Sequence, residues 1–372
     1  MRIAQVAPLH ESVPPKLYGG TERIVSYLTE ELVRRGHEVT LFASGDSLTS
    51  ARLRPMCDRA LRLHRGSLVD PLAHHMLLLE KLTREINDFD VVHFHLDYLP
   101  FSQIRRLNIP AVTTLHGRLD IPDLVPIFRE FRDMHLISIS DSQRKPLPWA
   151  NWLATVHHGM PEDLYTQGNG DGGYLAFLGR ISPEKRVDRA IEISRRVGMP
   201  LRVAAKVDDS DKAYFDSKVC PLIKDADVEF IGEIGDHDKV DFLGKAKALL
   251  FPIDWPEPFG LVMIEAMACG TPVIAFRGGS VAEVIEDGVT GFIVDSMDDA
   301  VEAANNLDLI NRSACRANFL RRFSAGRMCR DYVRAYQRVA NDRQASAPTT
   351  GTLLNRYSGA LLADVLDQNA EQ

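Results

Sequence analysis

Along the first half of the chain, short apolar runs alternate with longer stretches of helical pattern. The runs cover residues 2–8, 38–44, 90–96, 111–117, 135–140 and 154–160. They are apolar without strict alternation, which suits strands buried on both faces of a parallel sheet. Between the first two lies TERIVSYLTEELVRRG, where Ile24, Val25, Leu28, Leu32 and Val33 share one helical stripe; Thr21 is placed to cap its start and Gly36 to close its end. A strand, helix and strand in that order force a right-handed crossover and a parallel sheet. The pattern pauses at PEDLYTQGNGDGG (161–173), then resumes with strands predicted at 174–179, 201–207, 228–232, 248–252, 272–276 and 291–294, and helices at 183–198, 211–224, 236–246 and 259–269. After residue 295 the sequence reads as helical to about 342, followed by a loose connection (345–352) and a last amphipathic segment, LLNRYSGALLADVL.

The predicted fold class is therefore α/β, with two Rossmann-like doubly wound domains facing across a cleft. The boundaries are 1–165 for the first domain and 172–325 for the second, with 326–372 as C-terminal helices and tail packing back toward the first. Such sheets bind ligands at the carboxyl ends of their strands, so the cleft is the place to seek a site.

A chain of 372 residues is long enough for two such cores, and 45% apolar with 26% charged residues excludes collagen-like, disordered and membrane-embedded classes. Lys+Arg 44 against Asp+Glu 51 gives a net charge of −7, which disfavours nucleic acid as a partner. Cys57, Cys220, Cys269, Cys315 and Cys329 are scattered without metal-binding spacing and read as reduced thiols. The opening MRIAQVAP has no apolar core of a secretory signal, and no stretch approaches the length needed to span a bilayer. The expected compartment is the cytoplasm.

Two segments carry candidate chemistry. In WPEPFGLVMIEAMACGTPVIAF (255–276), prolines stiffen the loop around Glu257, Gly260 permits close backbone approach, and a helix starting near Phe259 offers unpaired N–H groups to an anion. Glu265 would then lie roughly 9 Å along that helix, so one carboxylate sits at the mouth and the other deeper, where it can accept from two vicinal ribose hydroxyls. In FLGRISPEKRVDRAIEI (177–193), Gly179 ends a strand, Ser182 or Pro183 opens a helix, and Arg180 and Lys185 stand at the sheet's carboxyl edge. Two cations there suit a diphosphate; solvated surface charges are the alternative.

Together with YGGTE (18–22) and the LHG at 115–117, these segments fix an order and spacing that resembles a family 4 retaining glycosyltransferase of the GT-B fold over roughly residues 1–340. The resemblance implies a hexosyltransferase that moves sugar from a nucleotide-diphospho-sugar to a small-molecule, lipid-linked or saccharide acceptor, with no metal and no separate cofactor. It implies that Arg180 and Lys185 neutralise the diphosphate, that Glu257 contacts the transferred sugar, and that amides around Phe259, Gly260 and Leu261 hold sugar or phosphate oxygens. Glu265 would bind the ribose, Gly19 and Gly20 would let the first loop close on the phosphates, and His116 would lie near the reaction centre. Preorganised cations and N–H dipoles stabilise the departing diphosphate more in the transition state than in the ground state.

Other features carry two readings. His116 is either functional or a satisfied strand-end histidine; His93 and His95 sketch part of a metal site with it or simply line a polar wall. DxD triplets at 88–90, 209–211, 225–227 and 236–238 follow no strand in a way that suggests a metal–diphosphate site. Gly278-Gly279 approach the nucleotide or make a turn. His157-His158-Gly159-Met160-Pro161 departs from the family pattern at the hinge entry more than at the donor site, while Asp208-Asp209-Ser210 replaces the family's usual Gly-rich turn and makes Lys206 a candidate for phosphate or base contact. The basic run 52–65 is either a loop or short helix with ordinary charges or a peripheral contact for the inner membrane face. Two rival functions remain: a nucleotide-sugar 2-epimerase of the same architecture, and a nucleotide-sugar-binding protein without turnover. A nicotinamide dehydrogenase is disfavoured because neither half opens with G-x-G-x-x-G.

Overall fold

The computed structural model describes residues 1–16, 19–63, 69–107, 109–224 and 227–346, without the side chains of 342–346. The first sheet contains β1 (Arg2–Val6), β2 (Glu38–Ala43), β3 (Arg52–Pro55), β4 (Val91–Phe94), β5 (Ala111–Thr114), β6 (Leu136–Ser138) and β7 (Trp152–Thr155). They pair in parallel in the order β3-β2-β1-β4-β5-β6-β7. Its helices are α1 (Gly20–Arg34), α2 (Pro71–Glu85), α3 (Phe101–Leu107) and α4 (Leu124–Glu130). The second sheet contains β8 (Leu175–Arg180), β9 (Leu201–Lys206), β10 (Val228–Gly232), β11 (Ala248–Phe251), β12 (Val273–Phe276) and β13 (Gly291–Val294), also parallel, in the order β10-β9-β8-β11-β12-β13. Around it run α5 (Val187–Val197), α6 (Lys212–Tyr214), α7 (Cys220–Lys224), α8 (Asp236–Gly244), α9 (Leu261–Ala268), α10 (Val281–Val284), α11 (Met297–Asn305) and α12 (Arg312–Arg322). α13 (Ala325–Ser346) leaves the second domain and lies on α1, β4 and β5 of the first.

In both sheets the strand order reverses once, between β1 and β4 and between β8 and β11, and crevices open at such reversals. The central strands are buried on both faces, as their unbroken apolar runs require: β4, β5, β11 and β12 have no exposed residue. Four local expectations change. The basic run is loop and short helix only in its later part, where Leu61–Leu63 make a 3-10 turn: Arg52–Pro55 form the edge strand β3, Arg54 pairs with Glu85 at 2.8 Å, and Arg62 pairs with Glu11 at 3.2 Å; His64 and Arg65 lie outside the described residues. Thr21 does not cap α1, because the helix already begins at Gly20 with Gly19 at its cap, where a Cβ would come within 2.8 Å of Pro15. The last strand of the first sheet is Trp152–Thr155 and ends before the histidine pair that the apolar run 154–160 includes. Finally, the predicted helix 183–198 is broken: Pro183–Lys185 make a 3-10 turn and Arg186 takes φ +53°, so α5 starts only at Val187. The tail beyond residue 346, with its predicted amphipathic segment, lies outside the described residues.

The domains touch through specific polar contacts as well as through α13. Arg23 of α1 forms an ion pair with Asp236 of α8. Glu283 of α10 accepts the amides of Asp141 and Ser142, each at 2.7 Å, and stands 3.2 Å from His157 Nε2. No described helix is long and apolar enough to cross a membrane.

Candidate active site

The carboxyl ends of both sheets open on one cavity of about 780 Å³, and all eleven site residues named from the sequence line it: Gly19, Gly20, His116, Arg180, Lys185, Lys206, Glu257, Phe259, Gly260, Leu261 and Glu265. Residues nearly 250 positions apart meet there because each follows a strand or opens a helix at the same sheet edge.

The wall from the second domain is charged. Arg180, at the end of β8, donates to Glu184 at 2.7 Å and lies 3.7 Å from both Asp208 and Asp211. Lys206, at the end of the adjacent β9, pairs with Asp208 at 2.8 Å. The turn at Pro183–Lys185 swings Lys185 over the Trp255 ring, 5.1 Å from its centroid, and into an ion pair with Glu257. Glu257 is buried and also accepts the Trp255 indole N–H at 3.0 Å. Sequence reading gave Lys185 and Glu257 separate tasks; folded, they form one unit.

Gly260 stands at φ +78°, and a Cβ there would meet Met263 Cε at 2.7 Å and Phe251 Cζ at 3.0 Å. Only glycine combines that turn with that packing. With Gly260 as its cap, α9 begins at Leu261, two residues after Phe259, and its N-terminus opens on the cavity. Glu265, one turn in, is almost fully buried. Lys239 of α8 donates to its Oε1 at 2.8 Å, while Oε2 is buried without a hydrogen-bond partner. Gly279 settles the reading of its pair: it lies against the backbone of Glu257, where a Cβ would come within 2.1 Å of the carbonyl oxygen, and it does not line the cavity. The Gly278-Gly279 turn shapes the Glu257 loop.

The opposite wall comes from the first domain. His116 Nε2 is 2.9 Å from His95 Nδ1, and its Nδ1 is buried with no partner in the protein. Burial holds the ring down to about 3, so it is neutral near pH 7. His116 stacks on His158 with centroids 5.4 Å apart, and His158 meets the edge of Phe259 at 4.8 Å. His93 and His95 do not join His116 around a common point. Their nitrogens bond instead to Tyr336, Thr114, Gln5 and His116, and no described group of three or more His, Cys, Asp or Glu is arranged to hold a metal ion. Of the acidic triplets, 236–238 supplies Asp236, which pairs with Arg23 and accepts from Tyr165 at 3.0 Å, a structural use.

Sequence reading missed Asp97, Lys239 and the Gln5–His95 pair. Asp97 follows β4 at φ +50°; walled in by the cleft, although open to its solvent, its carboxyl is pushed up to about 6. A non-glycine residue held in that conformation after a strand has no periodic signature, so only a turn of HLDYLP could have hinted at it.

Two family models divide the chain between them: "Glycosyltransferase Family 4" matches residues 18–191, and "Glycosyl transferases group 1" matches 166–321. The chain belongs to glycosyltransferase family 4. It is a glycosyltransferase of the GT-B fold. Among similar proteins, the D-inositol 3-phosphate glycosyltransferase of Mycolicibacterium smegmatis is 25% identical over 89% of this chain and 88% of its own. The phosphatidyl-myo-inositol mannosyltransferase of Mycobacterium leprae is 24% identical over 91% of this chain and 97% of its own. Among solved structures, Anabaena HepE in complex with UDP superposes with a TM-score of 0.70 at 18% identity, covering 91% of this chain and all of that one. The family 4 motifs thus converge on the cavity from both domains: Gly19 and Gly20 at the start of α1 from the first, the E-x7-E of Glu257 and Glu265 from the second.

Proposed function

We propose that this glycosyltransferase binds a nucleotide-diphospho-sugar across the cavity and transfers its hexosyl group, with retention of configuration and without a metal ion, to a hydroxyl of a polyol, saccharide or lipid-linked acceptor. The observation that carries this reading is the convergence of Arg180, Lys185, the N-terminus of α9 and the carboxylates of Glu257 and Glu265 on one cavity. The diphosphate lies against the two cations and the helix amides. Glu265 takes the ribose hydroxyls with Oε2, and Glu257 holds hydroxyls of the sugar while Lys185 stays within reach of phosphate.

In the reaction the bond between the anomeric carbon and the phosphate oxygen breaks, and the acceptor oxygen bonds to that carbon from the same face. The leaving diphosphate takes the acceptor's proton. Charge that grows on the diphosphate meets two side-chain cations and a helix dipole already in place, the role a divalent ion would otherwise fill. Closure of the two domains excludes water that would hydrolyse the donor. The acceptor class is supported by the names of the inositol-directed relatives, and α2 exposes Leu72, Met76 and Leu77 near the first-domain wall, a surface that suits a lipid-bearing acceptor.

Calorimetry with UDP-, GDP- and ADP-sugars identifies the donor. Nucleotide release is then followed with an inositol, saccharide and lipid-linked acceptor panel in EDTA. Release that requires acceptor and survives EDTA supports the reading. Release without acceptor would favour an epimerase or hydrolase, and binding without any release would reduce the protein to a binder.

A further inference from the structure

Beneath α13 the first sheet carries a polar row: Gln5 on β1, His93 on β4 and Thr114 on β5, extended by His95 and by Tyr332 and Tyr336 from α13, all buried. The atoms form one unbroken chain that ends at the cavity. Thr114 Oγ1 lies 3.2 Å from Tyr332 Oη and 2.7 Å from His93 Nε2. His93 Nδ1 lies 2.7 Å from Tyr336 Oη, which lies 3.0 Å from Gln5 Nε2. Gln5 Oε1 lies 2.9 Å from His95 Nε2, and His95 Nδ1 lies 2.9 Å from His116 Nε2.

A neutral imidazole has one N–H and one bare nitrogen, so each ring passes the hydrogen-bond direction on to the next. Burial holds His93 and His95 well below the ordinary histidine range, so neither gains a second proton near pH 7. Only two directions close the whole chain, and the far end selects between them: the geometry makes the Thr114 hydroxyl the donor to Tyr332. Thr114 must then accept from His93 Nε2–H, which leaves His93 Nδ1 to accept from the Tyr336 hydroxyl. Tyr336 accepts from the Gln5 amide, the Gln5 carbonyl accepts from His95 Nε2–H, and His95 Nδ1 accepts from His116 Nε2–H. What remains is His116 Nδ1, a lone pair that meets no protein donor.

From this we infer that Gln5, His95 and Tyr336 are positioning residues: they fix His116 as its Nε2–H tautomer, so that its bare Nδ1 accepts a hydrogen bond from a substrate hydroxyl. The opposite tautomer would present an N–H suited to a phosphate oxygen instead. α13, the last described helix of the chain, thereby sets the polarity of a group on the cavity wall. The identity of the hydroxyl rests on the donor reading above; the tautomer does not.

Full-length protein labelled with [15N]histidine is examined by two-bond proton–nitrogen correlation. The expected pattern shows His116 protonated at Nε2 and bare at Nδ1; a proton on Nδ1 overturns the inference without any variant. Tyr336→Phe keeps the ring in place but frees the Gln5 amide, and is expected to give mixed His116 tautomers and a kcat/KM about five- to tenfold lower in a protein that still folds, with a melting temperature lowered by no more than a few degrees. A Tyr336→Phe protein with the wild-type pattern and rate removes α13 from the account, and Gln5→Met gives an independent second break in the chain. If nucleotide-sugar shifts the Nδ1 signal and nucleoside diphosphate does not, the hydroxyl belongs to the sugar. A shift only on addition of acceptor assigns it to the acceptor, and no shift with either refutes the hydroxyl contact. Failure of any nucleotide-sugar to bind by calorimetry would count against the proposed function and leave the tautomer assignment standing.

Discussion

Replacing Glu265 by Gln is the sharpest test of how the nucleotide is held. The substitution preserves volume and removes a charge from a side chain that is 2% exposed. In the folded protein Oε1 is held by Lys239 at 2.8 Å, whereas Oε2 has no partner, so one strong acceptor stands ready at the α9 side of the cavity. A hydrogen bond to a charged acceptor contributes about 1.5–3 kcal/mol, so nucleoside diphosphate affinity should fall roughly 10- to 150-fold. The fold should survive, because Lys239 keeps a second carboxylate, Asp236, at 3.4 Å. Calorimetry closes the argument as a cycle between protein and ligand. Wild-type protein should lose the same factor when the ribose hydroxyls are removed by using a 2′,3′-dideoxynucleoside diphosphate, and Glu265→Gln should lose little more with that ligand. If both proteins respond equally to loss of the hydroxyls, Glu265 does not read the ribose and the orientation of the donor in the cavity is wrong.

Three further outcomes are expected. Gly279→Ala places a methyl 2.1 Å from the Glu257 carbonyl in a backbone at φ +53°, so the Glu257 loop must shift; kcat should drop on the order of a hundredfold, and full activity would show that the loop is not held in register. Asp208→Asn removes a carboxylate shared by Lys206 and Arg180, both pairs partly exposed, so nucleoside diphosphate should bind several-fold tighter at low salt, and weaker binding would mean Asp208 orients the cations more than it competes for them. His93, His95, His116 and His158 are all pushed down by burial, so the unfolded chain binds more protons than the folded one below about pH 6.5. Stability should therefore be complete above that pH and fall as pH drops, by up to about 1.4 kcal/mol per pH unit for each histidine; urea midpoints that stay flat from pH 7.5 to 5.5 would contradict the buried neutral cluster.

Strand runs and helical stripes made the two sheets legible because a strand buried on both faces must be apolar along its length. The edge strand β3 escaped for the converse reason: Arg52 and Arg54 sit where only one neighbour covers them, and an edge tolerates charge. The cavity residues were legible as motifs that alternate glycine, cations and carboxylates at strand ends. What the motifs could not convey was pairing. Lys185 with Glu257, Lys239 with Glu265 and Arg23 with Asp236 join positions 72, 26 and 213 residues apart, and nothing local encodes such distances. Gln5 and Tyr336 were invisible for a related reason, since a single polar residue in an apolar strand and a tyrosine in an amphipathic helix each look like ordinary packing until α13 is laid on the sheet.

These pairings change what donor binding means energetically. Arg180, Lys185 and Lys206 pair with Glu184, Asp208, Asp211 and Glu257, so the cations on the cavity wall are already compensated. A diphosphate does not arrive at naked charge; it replaces carboxylates that must find other partners or water. The net gain per contact is then far below the bare Coulomb attraction, since each ion pair formed displaces one already made. What the arrangement secures is position: the cations are oriented before the substrate enters, and Lys185 is held by the same Glu257 to which the proposal gives the sugar. On this argument the cavity discriminates less by raw affinity for phosphate than by whether a ligand carries both a diphosphate to take the cations and hydroxyls to satisfy the carboxylates it displaces. A simple anion such as pyrophosphate should bind much more weakly than a nucleotide-sugar, and comparable affinities for the two would show that the carboxylates are bystanders.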